Sequence, residues 1–130
     1  MKKIFLGGTC NNSTWREELI PLLKIDYYNP VVKTWTDECK LEEISQRESC
    51  DYVLYVITPK MHGYYSIAEV TDDSNKRPSK TILCVISSDN GYSFTMKQMM
   101  GFDAIKLLIK SNGANVFDTL EEIAQYVNNN

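Results

Sequence analysis

Short apolar runs alternate with longer mixed stretches along the whole chain. The clearest run, Tyr52-Val53-Leu54-Tyr55-Val56-Ile57, is apolar at successive positions and closes on Thr58-Pro59. A continuous apolar run of that length, ended by proline, predicts a strand buried on both faces, as in a parallel sheet. Residues 3–6, 26–28, 81–86 and 115–117 read as four further strands. Between them lie helical patterns. Thr14-Trp15-Arg16-Glu17 has capping-box spacing and opens a helix to about Lys24, kinked at Pro21. Leu41 and Ile44, set among charges, predict an amphipathic helix over 36–49 whose acids mostly form its solvated face. Ser66 opens a short helix to about Asp73, and a longer helix ends at Lys110, stopped by Asn112-Gly113. Thr119-Leu120-Glu121-Glu122 caps the last one.

Strands and helices alternating at this spacing imply βαβ crossovers and a parallel sheet covered on both faces. The expected fold is α/β: a flavodoxin-like, doubly wound, five-stranded sheet forming a single domain over 1–130. The polar stretches 72–79 and 87–91 are expected loops.

Composition narrows the function. The chain has 130 residues and a formal charge of −3, with no basic stripe, so polymeric nucleic acid is an unexpected partner. Four cysteines stand singly beside one histidine, which disfavours a zinc site of the usual spacing, and neither a metal nor a cofactor is expected. Cys50 and Cys84 fit small core residues in a reducing cytosol. The apolar stretch after Lys2-Lys3 is too short for a signal peptide, and no run approaches membrane-spanning length. A cytoplasmic protein with no membrane partner is expected.

The candidate chemistry gathers at the carboxyl edge of the expected sheet, where open α/β sheets bind ligands. Ser66-Ile67-Ala68-Glu69 puts Glu69 in the first turn of a helix just after the third strand. It is either a capping-box acid bonded back to the cap N–H or a carboxylate facing a ligand. As a surface-edge side chain it should carry little packing. Gly7-Gly8-Thr9 ends the first strand, as a tight turn or as a loop whose N–H groups meet an anion. Trp15 and Arg16 follow; Arg16 suits a phosphate, a ligand carboxylate or a neighbouring acid. Residues 29–36, beginning Asn29-Pro30 and including Trp35, are apolar for a connection, which fits a lid over the core or an aromatic wall for a flat ligand. His62 stands next to Gly63, incidental or a proton donor. Glu42, Glu43 and Asp51 add carboxylates near the same edge or its approach.

Lys3-Ile4-Phe5-Leu6-Gly7-Gly8-Thr9, Trp15-Arg16-Glu17-Glu18, Tyr28-Asn29-Pro30-Val31-Val32, Trp35-Thr36, Cys50-Asp51 and Ser66-Ile67-Ala68-Glu69 stand in one order. Together they resemble the nucleoside 2-deoxyribosyltransferase-like proteins, most strongly over 3–81. The resemblance implies that Glu69 attacks the anomeric carbon of a 2-deoxyribosyl group and carries it as an ester until a second acceptor arrives. A base as acceptor makes a transferase, and water a hydrolase. Hydrolysis of a deoxynucleoside 5′-monophosphate and non-catalytic nucleotide sensing are the alternatives. Relatives keep an acid shortly before the glutamate; here Lys60-Met61-His62 stands there, which makes His62 a substitute proton donor, and Glu43 matches a second acid. The implied binding residues are Gly7, Gly8, Thr9, Trp15, Arg16, Asn29, Pro30, Trp35, Asp51, Gly63 and Ser66. The implied partners are a nucleoside or nucleotide, a free base and further copies of the chain. Residues 96–109 carry apolar side chains on more than one helical face, for the core or for such a copy.

Overall fold

Period-two alternation within each strand sorts its residues onto the two faces of one sheet. The computed structural model describes residues 1–130. Its strands are β1 (Lys3–Gly8), β2 (Asp26–Tyr28), β3 (Tyr52–Ile57), β4 (Thr81–Val85) and β7 (Asn115–Phe117), all parallel, in the order β2-β1-β3-β4-β7. The helices are α1 (Trp15–Leu19), α2 (Asp37–Ser49), α3 (Tyr65–Lys76), α4 (Met96–Ser111) and α5 (Leu120–Asn129). Ile4, Leu6, Leu54 and Ile82 pack with Trp15 and Leu19 of α1 and Ile123 and Val127 of α5. Phe5, Val53, Tyr55 and Leu83 pack on the other face with Val70 of α3 and Phe102 and Ile109 of α4. The expected doubly wound five-stranded fold is therefore present. Strand order reverses between β1 and β3, and the crevice beyond their carboxyl ends is where such sheets hold ligands.

Four local expectations need correction. First, α1 ends at Leu19, and residues Ile20–Leu22 form a 3-10 turn instead of a kinked continuation. Pro21 has no N–H to give back one turn, and its ring crowds the preceding carbonyl. Second, the two capping boxes read at Thr14 and Ser66 do not form. Thr14 has φ −99° and ψ 13° and bonds Glu18 at 3.3 Å, while α3 starts at Tyr65, leaving Ser66 inside the first turn. Boxes do form at Thr95–Gln98 and, as expected, at Thr119–Glu122, where the cap residue is extended. Third, the loop after β4 holds a hairpin, β5 (Ser88–Asp89) with β6 (Tyr92–Ser93), closed by Asn90 and Gly91 at positive φ.

The fourth concerns α2. Leu41 is 68% exposed and Ile44 43%, and no residue of the helix is fully buried. The partly buried side includes Glu43, Gln46 and Arg47. The helix thus turns charge inward, against its apolar spacing, because its partners are charges on α3. No helix is long and apolar enough to cross a membrane.

Candidate active site

The floor of the crevice is the end of β1. A Cβ on Gly8 would lie 2.1 Å from the Val56 carbonyl oxygen, and the residue has φ +114°, so only glycine lets β1 press on β3 there. Gly7 is nearly as confined, with Leu54 O and the Phe5 and Tyr55 rings each 3.0 Å from an added Cβ. Thr9 then ties the strand ends together: its N–H donates to Val56 O at 2.8 Å, and its hydroxyl accepts from Thr58 N at 3.0 Å.

Arg16 and Trp15 hold this turn from behind. The Arg16 guanidinium donates to Leu6 O at 3.1 and 2.9 Å and to Thr9 O at 2.8 Å, while Trp15 Nε1 donates to the same Thr9 carbonyl at 2.7 Å. Both side chains are buried, and the guanidinium carbon sits 4.3 Å from the indole centroid. Most of the arginine's donors are thus spent on backbone carbonyls. Trp15 belongs to the core on the α1 side of the sheet, so its expected contact with substrate is not supported.

Above the floor is a cleft of about 290 Å³ lined by Phe5, Gly7, Gly8, Cys10, Arg16, Pro30, Val31, Val32, Trp35, Glu43, Ser66 and Glu69. Pro30, Val31, Val32 and Trp35 make one wall, and Trp35 is 56% exposed. Glu69 reaches the cleft from the first turn of α3, and Glu43 from α2. The Glu69 side chain is only 10% exposed, and its carboxylate lies 3.2 Å from Arg47 Nη1. The surface-edge description of Glu69 is therefore wrong: it stands in a packed network. Arg47 Nη2 reaches Asp73 at 3.0 Å, and Asp73 also pairs with Arg77 and accepts from the Tyr55 hydroxyl at 2.6 Å.

Electrostatics follow from this crowding. Burial pushes the Glu69 carboxyl up to about 7; Arg47 opposes the rise, and the charges of Glu43 and Asp73 add to it. Glu43 is raised by burial too, against the pull of Arg47 and Arg16. Burial works against the Arg47 charge, yet Tyr55, Asp73 and Glu69 together hold its proton on more firmly than usual. Tyr55 is driven well above the phenol range by burial and by its bond to Asp73. Glu69 therefore brings a proton-sensitive carboxylate to the cleft, paired with a permanent cation, Arg47, that is not part of the cleft lining.

The other expected site residues divide. His62, Gly63 and Ser66 line an adjoining hollow of about 170 Å³ that shares Gly8, Cys10 and Ser66 with the cleft. His62 itself is exposed and absent from the Glu69 cleft, and Gly63 has open space around it. Asn29 is exposed and turns the chain into the wall through an Oδ1 contact with Val31 N at 3.1 Å. Asp51 is a correction: it precedes β3, so it lies at the amino end of the sheet, where it accepts from Lys3 N at 2.8 Å. Six residues of strand, roughly 20 Å, separate it from the cleft. Arg47, Asp73 and Tyr55 were not legible as site residues. Their one sequence signal is that Glu43–Arg47 and Glu69–Asp73 are each one helical turn apart.

No curated protein matches the chain. The profile of the family described as nucleoside 2-deoxyribosyltransferase like matches residues 1–88, which include β1 to β4 and every cleft residue named above. A match over 88 of 130 residues, on a doubly wound sheet, places the chain in the nucleoside 2-deoxyribosyltransferase-like family.

Proposed function

We propose that the protein moves a 2-deoxyribosyl group between bases by N-glycosyl transfer, with Glu69 as nucleophile. The observation that carries this is the Glu69 carboxylate itself: free of any capping role, nearly buried, and facing a cleft with an aromatic wall. In the first step a Glu69 oxygen bonds to C1′ as the C1′–N bond breaks, and the electron pair leaves on the base. The base departs with a proton. Glu43 lines the same cleft with its carboxyl raised by burial, which favours it as the donor over His62 in the adjoining hollow. In the second step a nitrogen of the incoming base attacks C1′ as its proton passes to the Glu43 carboxylate, the C1′–O ester bond breaks with its electron pair returning to Glu69, and both carboxyl groups are back in their starting forms. Trp35 and the Pro30–Val32 wall supply a flat apolar surface for a base.

A nucleoside is favoured over its 5′-monophosphate. The arginine that a phosphate would need, Arg16, already serves Leu6 O and Thr9 O, and the Thr9 hydroxyl serves Thr58. Further copies of the chain are the partners that best suit the exposed Met96, Met100, Leu107 and Leu108 of α4.

The test is chromatographic. Wild type and Glu69→Gln are incubated with deoxynucleosides, and separately with their 5′-monophosphates, with and without a competing base. A new nucleoside formed only by the wild type is the expected result. Free base without exchange would make the protein a hydrolase, and no turnover of any substrate would refute the enzymatic reading.

A further inference from the structure

We propose that Arg47 is the positioning residue of this site: clamped by the buried Asp73, it fixes where the Glu69 carboxylate stands and favours its ionised form for attack. This rests on the reading of Glu69 as nucleophile. The geometry is a fork. One guanidinium nitrogen faces Glu69 at 3.2 Å and the other faces Asp73 at 3.0 Å, with the Arg47 side chain 15% exposed. Asp73 is fully buried and is itself held by the Tyr55 hydroxyl and by Arg77. Glu43 and Arg47, one turn apart on α2, therefore oppose Glu69 and Asp73, one turn apart on α3.

Two features set the arrangement apart from an ordinary ion pair. The Arg47 Nε–H is buried with no acceptor, so the guanidinium forgoes a hydrogen bond in order to face both carboxylates. Lysine has a single ammonium point and cannot reproduce a planar fork between two acids. The groups acting on Glu69 are Arg47 and Glu43 from α2 and Asp73 from α3; Glu69 in turn acts on Tyr55 of β3, Arg16 from α1 acts on Glu43, and Cys10 lines the same cleft. Loss of the Arg47 cation must raise the proton affinity of Glu69, because the remaining charges repel its ionised form. Loss of the Asp73 charge must lower it, since a repulsion vanishes and Arg47 is left to Glu69 alone.

The experiment is a carbon-13 NMR titration of glutamate carboxyls in the free protein, with the Glu69 signal assigned by its loss in Glu69→Gln. The midpoint is expected to rise by about one pH unit or more in Arg47→Met and to rise in Arg47→Lys. It is expected to fall below the wild type in Asp73→Asn. If Asp73→Asn fails to fold, Arg77→Gln replaces it: that substitution makes Asp73 draw harder on Arg47, and the midpoint should rise. Unchanged midpoints in the Arg47 variants overturn the proposal whatever happens to turnover. The pH dependence of kcat/KM then separates the two ideas. An acid limb that moves with the NMR midpoint supports both. Midpoints that move while the rate limb stays put keep the clamp and refute Glu69 as nucleophile.

Discussion

Glu69→Gln should make the protein more stable above neutral pH while abolishing turnover. The Glu69 carboxyl is displaced from an ordinary 4.5 up to about 7, chiefly by burial. Its folded pKa therefore lies above its unfolded one. Between 4.5 and 7 the folded state holds the proton that the unfolded state has lost, so stability falls as pH rises through that window. Above 7 the whole cost of a buried charge is present; below 4.5 it is absent. The displacement corresponds to about 3 kcal/mol, and water entering the open side of the cleft screens part of it, leaving about 2 kcal/mol. Glutamine mimics the protonated acid in shape and charge, so the variant escapes this cost. Urea denaturation of wild type and variant at pH 4, 6 and 8 measures it, because the titrations of groups remote from Glu69 cancel in the difference. The variant should match the wild type at pH 4 and exceed it by about 2 kcal/mol at pH 8. A difference independent of pH would refute the reasoning. Activity should run the opposite way, rising through about 7 as the nucleophile ionises. The site would then hold its reactivity at the expense of stability.

Two further outcomes follow from the floor and wall of the cleft. Gly8→Ala should destabilise the fold by more than about 3 kcal/mol in urea denaturation, since positive φ and a contact 2.1 Å from Val56 O act together; a near-neutral change would show that β1 does not press on β3 as described. Trp35→Ala should raise KM for deoxynucleosides several-fold while costing less than about 1 kcal/mol of stability, because the indole is 56% exposed; an unchanged KM would remove Trp35 from the base-binding wall.

Much of the architecture is legible in the amino-acid sequence. The run 52–57 and the patterns around it gave strand and helix identity because burial on one or both faces imposes a period on neighbouring residues. Alternating elements in a short chain then leave few arrangements other than a parallel sheet with helices on both sides. The same logic found Glu69, by its place just after the third predicted strand, while Glu43 was singled out by the family resemblance; the cleft contains both. It failed at Ser66 and Thr14, which share the spacing of Thr119 but lack its extended backbone. Spacing states which groups can reach one another; how the chain enters the helix decides whether they do.

The residues decided by tertiary structure are those whose partners lie far along the chain. Arg16 has the same chemistry whether it meets a phosphate or the carbonyls of Leu6, Gly8 and Thr9, and only the curl of the β1 turn around it selects the carbonyls. The spacing of Leu41 and Ile44 pointed α2 inward through its apolar side, yet the helix is turned the other way by Glu69 and Asp73, which follow Arg47 by 22 and 26 residues. Local sequence determined the elements of this protein, because backbone and burial preferences act over a turn or two. The folded sheet decided its charge network, because a carboxylate and a guanidinium on separate helices pair only once the strand between them has brought those helices together.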